Sequence, residues 1–330
     1  MFVVTAMLSP FVLAQQVNVY SARKEALIKP LLDKFTQQTG ISVNLVTGKA
    51  DNLITRLKSE GKFSPADLLL TTDVGRLYRA KQQGLTQVIS VSKAIATLPN
   101  NFRDEQGHWL GLSLRARPLM VSVDSADAQA ITRLEDLISP QWKGRVCIRS
   151  SNNIYNQSMV ASLITQLGQS AAQEWVNGFV QNFTRPPQGG DRDQIKAVAA
   201  GLCDVAIANT YYLAGMLSSK DETTLQQARK VKVIWPNQGD RGVHVNISGI
   251  ALAKNAPNKA AAVKLIDFLL SKESQLWYAK TNHEYPILPD IAWSELLQSF
   301  GTFKSEQVPL GQLGELNAAA VQMMDRAGWK

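Results

Sequence analysis

Apolar and polar positions follow two alternating patterns along the chain. Short apolar runs, typical of buried strands, are followed by stretches in which apolar residues recur with helical spacing. Segment 204–213 reads DVAIANTYYL. Its apolar run ends in Asn209 and Thr210, which are turn and N-cap residues, and two tyrosines stand directly after them. The repeated strand–helix order predicts an α/β fold with a parallel sheet and helices on both faces.

The same patterns give the expected elements. A helix beginning near Leu27 should end at Gly40, Asp51 should cap the next helix, and a third should cover about 74–83. Asp191 should cap a helix that ends at Gly201, and helices are expected over 258–270, 274–280 and twice more in about the last 40 residues. The predicted strands span residues 17–20, 41–46, 66–70, 145–148, 205–208, 231–235 and 244–253.

The chain is long enough for two lobes. Its 330 residues, of which 45% are hydrophobic, can bury a large core. An extended run over 110–123 is suited to crossing from one lobe to the other, and 244–253 is expected to return to the first. We therefore expect an N-terminal lobe of residues 15–112 and 243–285 and a C-terminal lobe of residues 113–242 and 286–330.

The beginning of the chain and its two cysteines bear on its compartment. Residues 1–14, MFVVTAMLSPFVLA, are typical of a signal peptide and are too few to span a bilayer as a helix, so we expect export to the periplasm. In an oxidising compartment Cys147 and Cys203 could form a disulfide between neighbouring strands. Two buried free thiols are the alternative.

Charge and motifs exclude several classes of function. The net charge of +8 is spread without a basic block, and no nucleic-acid-binding motif accompanies it, so nucleic acid is not an expected partner. The sequence contains no Gly-x-Ser-x-Gly elbow, no His-Glu-x-x-His motif and no phosphate loop. A binding protein is therefore expected rather than an enzyme.

Polar clusters follow the predicted strands at their carboxyl ends, where ligands bind in open α/β sheets. Two clusters belong to each lobe, so the lobes are expected to face each other across a ligand cleft. The clusters cover residues 20–23, 71–73, 149–155 and 209–212.

Three tyrosines, Tyr155, Tyr211 and Tyr212, lie in the second-lobe clusters. Phenolate oxygen is a hard anionic donor that suits Fe³⁺, and a trivalent ion can hold tyrosine deprotonated below its reference pKa of about 10. Zinc or copper would call for histidine or cysteine, and the only histidines, His108, His244 and His283, form no spaced cluster. Packing of the aromatic rings is the alternative for the tyrosine pair.

Three phenolates leave an octahedral iron short of ligands. A small anion such as carbonate could complete the shell, held by Arg23, by Arg115 or Arg117, and by the helix start near Ser150 and Asn153. A site of this kind could instead take another small ligand, an oxyanion or a polyamine, with the tyrosine rings as a stacking wall.

Several stretches carry a family resemblance, and they cover nearly all of the chain after residue 14. VYSAR, SPADLLLTTDVGRLYRAKQQGL, WKGRVCIRSSNNIYNQS, DRDQIKAVAAGLCDVAIANTYYL and HVNISG resemble the ferric-ion-binding periplasmic proteins of bacterial iron ABC transporters. The resemblance implies a two-lobed type II periplasmic-binding-protein fold, transferrin-like in its iron site. It also implies that Tyr155, Tyr211 and Tyr212 bind Fe³⁺, that Arg23 assists a synergistic carbonate or bicarbonate, and that a monomer delivers iron to an inner-membrane permease.

The first lobe departs from that family. Lys24 and Thr72 stand where one branch has a histidine and a glutamate that bind iron, and Glu25 and Val121 stand where another branch has tyrosines. The departures point to the branch that uses three second-lobe tyrosines and an anion. Glu25 is either a substitute carboxylate ligand or a solvated acid at a helix start.

Overall fold

The structure, a computed structural model, describes residues 15–330, so the expected signal peptide at 1–14 lies outside the described residues. The strands of this part of the chain are β1 (Gln16–Ser21), β2 (Ser42–Thr47), β3 (Leu68–Thr72), β4 (Thr86–Gln87), β5 (Trp109–Ala116), β6 (Leu119–Ser122), β7 (Val146–Cys147), β8 (Val205–Ile207), β9 (Val231–Ile234) and β10 (Val245–Ala253).

Helices flank these strands. Those in the first half of the chain are α1 (Lys29–Thr39), α2 (Ala50–Glu60), α3 (Val74–Gln82), α4 (Lys93–Ala96), α5 (Ala126–Gln129) and α6 (Ile154–Leu167). Those in the second half are α7 (Gln169–Gln181), α8 (Asp191–Ala199), α9 (Thr210–Leu217), α10 (Glu222–Arg229), α11 (Lys259–Leu269), α12 (Lys272–Trp277), α13 (Glu295–Gln298), α14 (Leu310–Glu315) and α15 (Asn317–Ala327).

The strands form two separate sheets. The first has the order β2-β1-β3-β10-β4, with β5 also paired to β10, and the second has the order β7-β8-β6-β9. Among the strands of residues 15–330, only β1 with β2 and β3, and β7 with β8, are parallel, since β10 and β6 run antiparallel to their neighbours. The expectation of a parallel sheet was therefore wrong for the middle of each sheet. β6 directly follows β5 of the first sheet, and β10 directly follows β9 of the second, with no helix between the members of either pair. Parallel strands that are consecutive in the chain require a crossover connection, usually a helix, so a strand that enters in this way runs antiparallel.

From its first strand to its last, the described part of the chain passes between the sheets twice, and the two passages are hydrogen-bonded to each other. The first lies between β5 and β6, the second between β9 and β10, and the N–H of Arg117 donates to the carbonyl of His244 at 3.0 Å. The proposed residue limits of the lobes stay a prediction.

Two expected helix caps were wrong. Lys49 occupies the N-cap position of α2, and Asp51 lies within its first turn. Gly190 occupies that position in α8, and Asp191 is the first helical residue, with a fully buried carboxylate. An acid in the first turn interacts favourably with the helix dipole much as a cap does, so the sequence pattern did not separate the two positions.

The strand that leads to the tyrosine pair is buried and covalently fixed. Every residue of β8 is buried, and Cys147 in β7 forms a disulfide with Cys203, which lies just before β8. Of the two alternatives for the cysteines, the structure has the disulfide. Among the helices of residues 15–330, none has the length and apolar character needed to cross a bilayer.

Candidate metal centre

Two helix starts carry the three tyrosines. The chain turns at Asn209, α9 begins at Thr210, and Tyr211 and Tyr212 fall in its first turn with ring centroids 4.3 Å apart. Tyr155 is the second residue of α6, and its N–H donates to Oδ1 of Asn153 at 3.1 Å. The two helix starts follow β8 and β7, which are adjacent and parallel. The tyrosines therefore lie at the carboxyl ends of these two strands of the second sheet.

Arg115 joins the tyrosines into one cluster. Its Nη1 donates to the Tyr155 hydroxyl at 3.1 Å, and its guanidinium carbon lies 5.2 Å from the Tyr155 ring centroid and 4.3 Å from that of Tyr211. The rings of Tyr211 and Tyr212 contact each other, so the three phenols are contiguous. Each remains partly exposed to solvent.

The environment distinguishes the three phenols. Burial raises the pKa of Tyr155, but the Arg115 charge and hydrogen bonds from Thr72, Arg115 and Tyr211 outweigh burial and lower that pKa to about 8. Burial and the neighbouring Tyr155 and Asp191 raise the pKa of Tyr212 to about 12. Burial also raises the pKa of Tyr211, against the lowering effect of Arg115. Without a cation, the cluster favours ionisation of Tyr155 first.

Other positive charges lie against the same cluster. The guanidinium carbon of Arg192 is 5.2 Å from the Tyr212 ring centroid. Burial lowers the pKa of Arg149, but its ion pair with Asp191 and the nearby Tyr212 and Tyr155 phenols give a net rise. The site therefore favours bound groups of negative charge, including phenolates.

Arg23 and Arg115 share one buried carboxylate, that of Glu284. Nη2 of Arg23 lies 2.6 Å from Oε2 of Glu284, and Nε of Arg115 lies 3.4 Å from Oε1. Burial raises the pKa of Glu284, but the two arginines and a hydrogen bond from Ser113 outweigh burial and lower that pKa to about 2. Sequence analysis missed Glu284, because its loop lies far along the chain and carries no motif.

Thr72 and Asn209 also contact the tyrosines. Oγ1 of Thr72 is 3.3 Å from the Tyr155 hydroxyl, and Nδ2 of Asn209 donates to the Tyr211 hydroxyl at 3.1 Å. Thr72 therefore touches the cluster from the first sheet although it replaces a glutamate ligand of one family branch. The polar clusters after β3 and β8 were the sequence signal for both residues.

Four candidate residues of the site remain, and they differ in whether they lie beside the phenols. Ser150 and Asn153 border Tyr155 in the turn before α6, where Oγ of Ser150 accepts from the Asn152 N–H at 3.2 Å. Arg117 is buried against amide and carboxylate groups of the protein. Glu25 is exposed in a 3₁₀ turn, and within residues 15–330 its side chain makes no hydrogen bond or ion pair.

Oxygen donors are the groups available to a cation here. The structure brings no three residues of the histidine, cysteine, aspartate and glutamate types together as a metal site in residues 15–330. Nδ1 of His244 pairs instead with Glu306 at 2.5 Å. Three contiguous phenols beside a guanidinium suit a hard, highly charged cation and a small anion.

The site lies beside the second sheet and is touched by Thr72 of the first, and two hydrogen-bonded passages join the sheets. This arrangement is typical of a two-lobed solute-binding protein. Residues 63–298 match the family described as bacterial extracellular solute-binding protein, and the chain belongs to this family. It is therefore a binding protein rather than an enzyme.

Relatives agree with that placement. The chain is 45% identical to iron uptake protein A1 of Synechocystis sp. over 96% of this chain and 88% of that protein. The structure of a Trichodesmium protein (IdiA, FutA) in complex with iron and citrate ligands has a TM-score of 0.92 at 46% identity, covering 96% of this chain and 100% of the other. The open conformation of Mannheimia haemolytica ferric iron-binding protein A has a TM-score of 0.89 at 41% identity, covering 96% and 99%. The predicted two-lobed α/β fold and the resemblance to ferric-ion-binding proteins are confirmed.

Proposed function

We propose that this protein captures ferric iron with the phenolate oxygens of Tyr155, Tyr211 and Tyr212. The observation that carries the proposal is the single Arg115 guanidinium set against two of the three contiguous phenols. A guanidinium stabilises phenolate by charge, so the cluster is prepared to lose protons when a cation arrives. The names of the similar proteins, an iron uptake protein and an iron complex, support the same cargo.

The anion in this proposal completes the iron shell. Three phenolates fill half of an octahedral shell, and carbonate or bicarbonate would occupy further positions. Arg115 and the start of α6, with Ser150 and Asn153, are the proposed anion-binding groups, because they border Tyr155. Arg23 would act indirectly by sharing Glu284 with Arg115. Glu25, exposed and without side-chain partners in residues 15–330, is the least supported of the candidate ligands.

The family supports a further proposal, a role in delivering the cargo. We propose that residues 1–14 direct export to the periplasm, and that the lobes close over iron and present it to an inner-membrane ABC permease. The protein would do so as a monomer. The chain belongs to a family of extracellular solute-binding proteins, and this membership supports the proposed role in delivery.

Colour tests the iron assignment directly. Phenolate bound to Fe³⁺ gives a visible charge-transfer band, so protein mixed with ferric iron and bicarbonate should be coloured. Tyr211→Phe and Tyr155→Phe should weaken or remove the band. Tyr20→Phe is the matched control, because the Tyr20 hydroxyl bonds to Glu60 in the first sheet's surroundings and not to this cluster. Colourless wild-type protein under these conditions would exclude the assignment.

The other binding hypotheses fit the site less well. A polyamine would bring positive charge against Arg115, Arg149 and Arg192, which already lie beside the tyrosines. A small oxyanion suits the guanidiniums but gives no reason for three contiguous phenols. Calorimetry of metal-free protein should detect no spermidine binding, and sulfate should bind more weakly than iron with bicarbonate.

A further inference from the structure

Arg117 occupies a different environment from Arg115, although only one residue separates them. Its side chain is almost fully buried, and Nη1 lies 2.9 Å from Oδ1 of Asp191. Nη1 also donates to Oδ1 of Asn209 at 3.4 Å, and Nη2 donates to Oδ1 of Asn156 at 2.5 Å. Both terminal nitrogens are therefore occupied by groups of the protein itself.

The partners of Arg117 belong to the segments that carry the tyrosines. Asn156 follows Tyr155 in α6, and its Nδ2 donates to the carbonyls of Arg149 and Ser150, which fixes the preceding turn. Asn209 directly precedes α9, and its Nδ2 donates to the Tyr211 hydroxyl at 3.1 Å. One planar guanidinium thus links the starts of both ligand-bearing helices.

Asp191 completes this arrangement from a third helix. Its carboxylate is fully buried at the start of α8, with one oxygen paired to Arg117 and the other to Arg149. A buried carboxylate is stable only when charged groups donate hydrogen bonds to it, and Arg117 is one of the two arginines that do so here. The Arg117 guanidinium is therefore held by Asp191 as well as by the two amides. These contacts use three of the five N–H donors of Arg117 and engage both terminal nitrogens, whereas Nε is buried and has no hydrogen-bond partner within residues 15–330.

We infer that Arg117 is a positioning residue that fixes Tyr155 relative to Tyr211 and Tyr212 before iron binds, rather than an anion-binding residue. The inference rests on the proposed function for the identity of the cargo. The juxtaposition that carries it is Arg117 bonded at once to Asn156, Asn209 and Asp191.

Arg117→Met is the informative variant, with Arg145→Met as its control. Arg145 also lies beside the second sheet and is paired with carboxylates, Nε lying 2.6 Å from Asp204. Among the described residues, none of its hydrogen-bond, ion-pair or cation–π partners is a tyrosine. Ferric iron would be titrated into each protein in bicarbonate buffer against a competing chelator. The visible band would be recorded alongside.

Arg117→Met should weaken iron binding about tenfold or more, equivalent to roughly 1.4 kcal/mol, and shift the band because one phenolate is displaced. Arg145→Met should match wild type. Arg117→Lys should stay impaired, since one ammonium does not reproduce the planar fork that serves two amides. Raising bicarbonate should not restore Arg117→Met. Recovery at high bicarbonate would instead assign Arg117 to the anion and overturn the inference.

A readout without iron separates this inference from the proposed function. In metal-free protein, Arg117→Met should increase amide hydrogen exchange at both 153–157 and 209–213, and Arg145→Met should not. If wild-type protein bound no iron but this exchange pattern held, the proposed function would fail and the positioning role would stand. Unchanged exchange at both helix starts would overturn it. Should Arg117→Met not fold, Asn209→Ala, which keeps the Arg117–Asp191 pair, should raise exchange at 209–213 and weaken iron binding.

Discussion

Glu284 shows how a single buried charge organises this site. Its carboxylate lies between Arg23 and Arg115, and Arg115 in turn faces Tyr155 and Tyr211. A carboxylate held by two guanidiniums compensates part of the positive charge beneath the phenols and limits where Arg115 can point. The geometry of the phenol cluster therefore depends on a residue whose side chain, within residues 15–330, makes no hydrogen bond to any of the three tyrosines.

The low pKa of Glu284 predicts a specific pH dependence of stability. The folded-state pKa is about 2 against an ordinary 4.5, so the charged carboxylate stabilises the fold above pH 4.5. That contribution is lost as pH falls from 4.5 towards 2. Glu284→Gln should lower the free energy of unfolding by about 3 kcal/mol at pH 7, and the difference from wild type should shrink at pH 3.

Urea unfolding of iron-free protein at pH 7, 4.5 and 3 measures this difference. Glu25→Gln is a suitable control, because Glu25 is exposed and should show little effect at any of these pH values. A Glu284→Gln deficit of the same size at pH 7 and pH 3 would show that the charge is not its cause.

At the residue scale, the sequence identified groups with distinctive chemistry and missed those defined by their partners. Tyr155, Tyr211 and Tyr212 lie in polar clusters after apolar strands, and this pattern is sufficient to predict that they lie together. Arg115 and Arg117 were not distinguishable, because the alternation of a strand puts them on one face but does not show which partners each meets. The partner of Arg115 at position 284 depends on long-range packing.

The sequence predicted the positions of helices and strands better than it predicted helix ends and strand directions. Apolar periodicity located α1, α3 and α11 within a few residues, since each has a buried face. The caps at Asp51 and Asp191 were misplaced by one or more positions. The direction of β10 could not be read from its composition, because a strand buried on both faces looks the same in either orientation.

The Cys147–Cys203 disulfide stabilises the element pair that leads to the tyrosines. It joins β7 to a residue two positions before the start of β8, across a sequence separation of 56. In the chain-entropy description, closing a loop of that length stabilises the fold by about 4 kcal/mol. The variant with both Cys147→Ala and Cys203→Ala should lose stability of this order in guanidinium unfolding.

Reductant provides the control for that prediction. Dithiothreitol should destabilise wild-type protein and leave the double alanine variant unchanged. Equal stability of wild type and the double variant in the absence of reductant would contradict a stabilising role for the bond.

At the scale of the whole molecule, a helix near the end of the chain connects the surroundings of the two sheets. The short helix α14 packs on α3, which follows the last residues of β3 in the first sheet, and on α6, which carries Tyr155 beside the second. The sequence predicted amphipathic helices here but not their partners. A helix in contact with both sides constrains how far the two sheets can move relative to each other.

Two glycines of α14 form a matched pair that tests this contact. A Cβ on Gly314 would lie 2.4 Å from both Cβ and Cγ of Tyr78 in α3, whereas a Cβ on Gly311 would meet nothing within 4 Å. Gly314→Ala should force α14 away from α3 and cost about 1–3 kcal/mol of folding stability. Gly311→Ala should be neutral or stabilising by up to about 1 kcal/mol, because alanine has the higher helix propensity. Thermal and urea unfolding of both variants measure the difference.

Small-angle scattering of metal-free Gly314→Ala should also show a wider distribution of interlobe distances than Gly311→Ala. Equal unfolding free energies for the two variants would mean that Tyr78 moves aside freely and that α14 does not hold the two sides together.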